Sequence, residues 1–115
     1  SQLWATYFTG IFRAMRFGIV ESHGRGAAAQ YGFLREQGGF AFDAASGKYV
    51  IDEAKMATGL RALLTTELML QAHGDYEGTK AFFARYGVLD EHAEAAIAAM
   101  SHIPVDIRPL YPRHL

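Results

Sequence analysis

The stretch FAFDAASGKYVIDEAKMATGLRALLTTELMLQAHG, residues 40–74, changes its hydrophobic period partway along, and that change decides the fold class. Phe40 and Phe42 alternate with Ala41 and Asp43, and Tyr49 and Ile51 alternate again beyond the turn residues Asp43-Ala-Ala-Ser-Gly47. A period of two on both sides of a turn predicts a β-hairpin over about 40–51. Asp52 then offers a side-chain oxygen to a helix start, and Glu53 places negative charge in the first turn. From there Met56, Leu60, Leu63, Leu64, Leu68 and Leu70 recur at helical spacing, predicting a long amphipathic helix over about 53–73 that ends at His73-Gly74. A lone hairpin is marginal in water, so this one must lie on helices.

The flanks read the same way. Upstream, Leu3, Trp4, Tyr7, Phe8, Ile11, Phe12 and Met15 form a broad apolar stripe edged by Arg13 and Arg16, predicting a helix over about 3–20 that needs cover on more than one side. Ser22 suits an N-cap, and a second helix follows over about 22–37 until Gly38-Gly39. Gly18, Gly24 and Gly26 weaken an unbroken rod there and make room for a close neighbour. Downstream, Asp75 opens a helix over about 76–86 stopped by Gly87, and Asp90 opens an alanine-rich one over about 91–101. Pro104, Pro109 and Pro112 hold 103–115 extended. The expected fold is mainly α: a bundle of about five helices with one short β-hairpin, forming a single unit over 1–115.

Composition narrows the function classes. The 115 residues fit one small domain, and the absence of cysteine excludes a disulfide scaffold or a cysteine-based zinc finger. Eleven basic residues against twelve acidic ones leave a net charge of -1, without the basic excess of a dedicated nucleic-acid binder. Mean hydropathy is near zero, and no long uncharged apolar run suggests a membrane span. The chain opens Ser1-Gln2-Leu3-Trp4 and runs straight into an apolar helix, so a piece of a longer protein is expected. The lack of cysteine is compatible with either cytoplasm or periplasm, and cytoplasm is taken as the default location.

No chemistry-bearing motif stands out by spacing. His23, His73, His92, His102 and His114 include no pair three or four residues apart, so no metal site is expected in this chain. Glu91, His92 and Glu94 fit the solvated first turn of a helix. Ser1, Ser22, Ser46 and Ser101 lack a nucleophile-elbow setting, and Gly24-Arg25-Gly26 is too short to cradle a phosphate. What remains is Glu21-Ser-His-Gly-Arg-Gly26. Glu21 and Arg25 are four apart and suited to pairing, while His23 shares a face with Ala27, Gln30 and Tyr31. The small residues Gly24, Gly26, Ala27, Ala28 and Ala29 fit two arrangements: open space beside a cleft histidine, or a hydrogen-bonded core histidine at a close helix crossing. The corner His73-Gly-Asp-Tyr-Glu-Gly78 reads as a structural helix–helix turn.

Four segments in order, Phe17-Gly-Ile-Val-Glu-Ser-His-Gly-Arg-Gly-Ala27, Phe42-Asp-Ala-Ala-Ser-Gly-Lys-Tyr49, Gly74-Asp-Tyr-Glu-Gly78 and Ile103-Pro-Val-Asp-Ile107, resemble the C-terminal end of bacterial members of the dipeptidyl peptidase III family of zinc metallopeptidases. The resemblance covers essentially the whole chain. It implies a two-lobed parent with its cleft between the lobes, zinc held by a His-Glu-x-x-x-His helix and a further glutamate, and a peptide substrate. Those elements would lie upstream, so the chain is expected to be a portion of the larger helical catalytic lobe, inactive alone, whose partner is the remainder of its own polypeptide. By the same resemblance His23 matches a histidine that contacts the substrate carbonyl or the developing oxyanion, with Arg25 and Glu21 as substrate-contact candidates beside it. The family's arginines four and nine positions beyond this histidine are replaced by Ala27 and Gly32. The alternative from another class is a stand-alone helical interaction module that binds through its aromatic first helix.

Overall fold

The computed structural model describes residues 2–15 and 22–99, with the backbone alone at 22 and 23. Its elements run α1 (Gln2–Met15), α2 (Ser22–Glu36), β1 (Phe40–Asp43), β2 (Lys48–Ile51), α3 (Glu53–Ala72), α4 (Tyr76–Tyr86) and α5 (Glu91–Ala99). The mainly helical architecture with one hairpin is therefore as the sequence predicts. The expected segment 16–20 of the first helix and the extended tail 103–115 lie outside the described residues.

Each boundary has a visible cause. The α2 end is a Schellman turn: Gly38 N–H donates to Arg35 O and Gly39 N–H to Leu34 O, with Gly38 at φ +79°. The α3 end repeats it through Gly74 N–H to Gln71 O and Asp75 N–H to Leu70 O, with Gly74 at φ +57°. Both positions need the left-handed conformation that a side chain disfavours. Asp52, Asp75 and Asp90 accept from the N–H groups of Lys55, Gly78 and Ala93, satisfying donors that a helix start otherwise leaves open. The antiparallel hairpin pairs Phe40 with Ile51 and Phe42 with Tyr49, and its turn is tied by Ser46 Oγ and Ala45 N–H on the Asp43 carboxylate.

α2 is the axis of the packing. One face joins a core with Phe8, Ile11, Phe12 and Met15 of α1, Phe40 of the hairpin, Met56 of α3 and Ala93 of α5, through Ala27, Ala28, Tyr31 and Leu34. The other meets Leu63 of α3 and Phe82 and Tyr86 of α4 through Ala29 and Phe33. A helix burying both faces needs small residues where neighbours cross, and Gly32 shows why: a Cβ there would stand 2.7 Å from Tyr86 O.

Two parts of the predicted apolar stripes turn outward. Leu3 is 73% exposed, so the buried stripe of α1 is narrower than its sequence. On α3, Met56 and Leu63 are buried, whereas Leu64, Leu68 and Met69 stand more than half exposed. They belong to neither buried cluster of the described residues, and helical period alone does not say which part of a wide stripe finds a partner. Among the described residues no helix is long and apolar enough to cross a membrane.

Candidate functional site

α2 carries the sequence candidates, beginning at Ser22. Glu21 and the side chain of His23 lie outside the described residues, so their pairing and contacts are not part of the geometry below. Beyond them the small residues serve mainly for packing: Ala27, Ala28 and Ala29 are 4%, 0% and 2% exposed. Gly26 differs from them, with nothing within 4 Å of a Cβ built on it. Gln30, one of the residues on the same face as position 23, accepts a hydrogen bond from Tyr7 Oη of α1 at 2.5 Å. Burial, with the Glu67 charge adding to it, raises the Tyr7 hydroxyl above its ordinary value.

Arg25 is turned elsewhere. Positions 23 and 25 differ by about 200° around a helix, and Arg25 lies on the α4 side, where a Cβ on Gly87 would come 3.4 Å from its Cγ. There it lines an open groove of about 390 Å³ with Tyr76, Thr79, Lys80, Phe83 and Ala84. Lys80 Nζ sits 5.8 Å from the Tyr76 ring centroid, within cation–π range. No carboxylate lines this groove among the described residues.

The most connected polar cluster is one that residue spacing does not reveal. Tyr31 Oη donates to the Asp90 carboxylate, 2.9 Å from both oxygens, and Arg35 Nη1 meets Asp90 Oδ2 at 2.5 Å. The single Tyr31 proton is committed to that carboxylate, so Tyr49 Oη donates to Tyr31 Oη across 3.0 Å. Burial acts first to raise the Asp90 carboxyl. The Ala93 N–H, the Tyr31 hydroxyl and the Arg35 guanidinium outweigh it and hold the group below its ordinary value. Tyr31 is driven far upward by burial and by its bonds to Tyr49 and Asp90, so it stays a neutral donor. The sequence marks Asp90 as a cap. Its second role is hidden because Tyr31 lies 59 residues away.

The remaining candidates are structural. His92 stacks on Phe42 at 4.1 Å and 15°, with Nε2 3.8 Å from Glu91 Oε1. His73 caps α3, and the corner through Gly78 joins α3 to α4 as expected, with Asp75 serving as N-cap. His102 and His114 lie outside the described residues. Among the described residues no three His, Asp or Glu side chains are placed to hold a metal ion, so these residues do not fit a zinc centre. What they build is a helix buried on both faces and a hydrogen-bonded aromatic core.

No family model matches the chain. It is 30% identical over 112 residues to Nudix hydrolase 3 of Arabidopsis thaliana, covering 96% of this chain and 14% of that protein. Its fold is similar to that of dipeptidyl peptidase III from Caldithrix abyssi, with a TM-score of 0.86 and 38% identity over 95% of this chain and 21% of that one. The dipeptidyl peptidase III of Corallococcus sp. strain EGB gives 0.85 and 30% identity over 93% of this chain and 20% of that one. The chain thus spans about a fifth of these structures and a smaller share of the plant protein.

Proposed function

We propose that this chain is a supporting segment of the catalytic lobe of a zinc-dependent peptidase of the dipeptidyl peptidase III kind, inactive by itself. The observation that carries this reading is the agreement in fold with two such peptidases, at 38% and 30% identity over nearly the whole chain. The name of the plant relative points to another hydrolase class, but this chain covers 14% of that protein. In the proposed assembly the metal and the base that activates water come from the remainder of the polypeptide, and the substrate is a peptide. The chain supplies α2, a helix buried on both faces, whose N-terminal end presents His23 to the cleft. A hydrogen bond from His23 to the oxyanion strengthens only as negative charge develops, so it raises the rate more than it tightens ground-state binding.

In the full-length protein, His23→Ala is expected to lower kcat at least about tenfold, equivalent to about 1.4 kcal/mol, while zinc content stays unchanged. A variant with wild-type kcat removes His23 from the mechanism. The exposed Leu64, Leu68 and Met69 favour a second reading, a helical interaction module. The upstream reading frame separates the two: a His-Glu-x-x-x-His motif there supports the peptidase.

A further inference from the structure

α3 is apolar on two sides, and the packing described above accounts for one of them. Met56, Gly59 and Leu63 are buried, and a Cβ on Gly59 would stand 3.2 Å from Leu34 Cδ2 of α2. Leu64, Leu68 and Met69 are 52%, 63% and 54% exposed, and Thr65 and Ala72, exposed as well, lie between and beyond them. At about 100° per residue these positions form one continuous stripe whose centre is nearly opposite the buried face. We infer that this outer face of α3 is an internal interface of the longer protein, covered by an apolar helix from the remainder of its own polypeptide. The inference rests on the reading of the chain as a supporting segment of a larger lobe, and adds to it the face through which the support is made.

The pattern of the stripe sets the chemistry of its cover. A helix with one apolar side sits at a surface, whereas one apolar on opposite sides is buried on both. α2 is of the second kind and finds both neighbours within this chain. The second half of α3 has a comparable pattern and finds one. Arg61 closes the stripe at its N-terminal end and Glu67 lies at one edge, which leaves its middle without charge. A charged or strongly polar partner would lose its water there and gain no hydrogen bond in return. The short side chains of Thr65 and Ala72 beside Leu68 leave a furrow, and a ridge of apolar side chains on a second helix fits such a furrow. The source of that helix follows from size. This chain spans about a fifth of the two structures whose fold it shares. A neighbour on the same polypeptide is present at an effective concentration on the order of millimolar, so it displaces a second copy at ordinary protein concentrations.

Methionine oxidation reads this face in the wild-type full-length protein. Met69 lies in the stripe, and Met56, 0% exposed, serves as the internal standard. The protein is treated with hydrogen peroxide, and sulfoxide formation at each methionine is followed by mass spectrometry of its peptides. Met69 is expected to oxidise within a few-fold of Met56, and at least about tenfold slower than in the urea-unfolded protein. Rapid oxidation of Met69 beside a protected Met56 overturns the inference and leaves the face to a separate protein. Protection that disappears on dilution overturns it in favour of a second copy. Leu64→Gln and Leu68→Gln give a second readout, because a polar side chain is costly in a covered interface and nearly neutral on a surface. Each is expected to lower the urea midpoint of the full-length protein, and unchanged midpoints overturn the inference. The peptidase reading fails separately. With an upstream His-Glu-x-x-x-His motif present and Met69 reactive, the reading stands and the face is wrongly assigned; a reading frame that opens at or near Ser1 removes both.

Discussion

Asp90 does two things with one carboxylate: it caps α5 through Ala93 N–H and accepts the hydroxyl of Tyr31 from α2. Asp90→Ala removes the cap, worth about 1 kcal/mol, and leaves the Tyr31 hydroxyl without its acceptor, at about 1–3 kcal/mol. A loss of about 3 kcal/mol is expected in urea denaturation. Asp90→Asn retains an oxygen for these donors and loses mainly the attraction to Arg35, so about 1 kcal/mol is expected. The folded carboxyl sits below its ordinary value, so its contribution is fully present above the unfolded value of about 3.9 and is lost as pH falls through the lower folded one. Asp90→Asn should therefore flatten the acid limb of a stability–pH profile. The cap could be read from sequence because its partner is three residues away. The link to Tyr31 could not, because only the completed packing brings the two together.

At the scale of elements, the glycines of α2 divide by what stands beside them. A Cβ at Gly32 would meet Tyr86 O at 2.7 Å, so Gly32→Ala must push α4 away and is expected to cost about 1–3 kcal/mol. A Cβ at Gly26 meets nothing within 4 Å, so Gly26→Ala should stabilise the helix by about 0.5–1 kcal/mol. Thermal unfolding of the two variants checks the opposite signs. The sequence showed a run of small residues and left open whether it made a cleft or a crossing. Ala27, Ala28 and Ala29 belong to the crossing, whereas Gly26 borders open space. Strand and helix periods were legible because hairpin and caps are local. The division of α3 into buried Leu63 and exposed Leu64 was not, since it depends on which neighbours α2 and α4 leave in place.

Over the whole molecule, Leu64, Leu68 and Met69 expose apolar surface on a chain that spans about a fifth of its structural relatives. Leu64 and Leu68 are one helical turn apart and form a continuous patch. The isolated chain is expected to self-associate through it. Leu64→Gln with Leu68→Gln should weaken that association at least about tenfold, or about 1.4 kcal/mol, in sedimentation equilibrium. An unchanged dissociation constant would exclude this face as the contact.

The Tyr31–Asp90 bond spans 59 residues, which makes it the closing contact of a long loop. Bringing such ends together in an unstructured chain costs about 3–4 kcal/mol of closure entropy, with a further constant. The Schellman turns at Gly38 and Gly74 reverse the chain twice within that span, so the ends approach as each helix packs back on its predecessor. The bond between Tyr31 and Asp90 thus joins α2 to the start of α5 only because the elements between them fold back over one another, and the closure entropy is offset by the packing of the whole span.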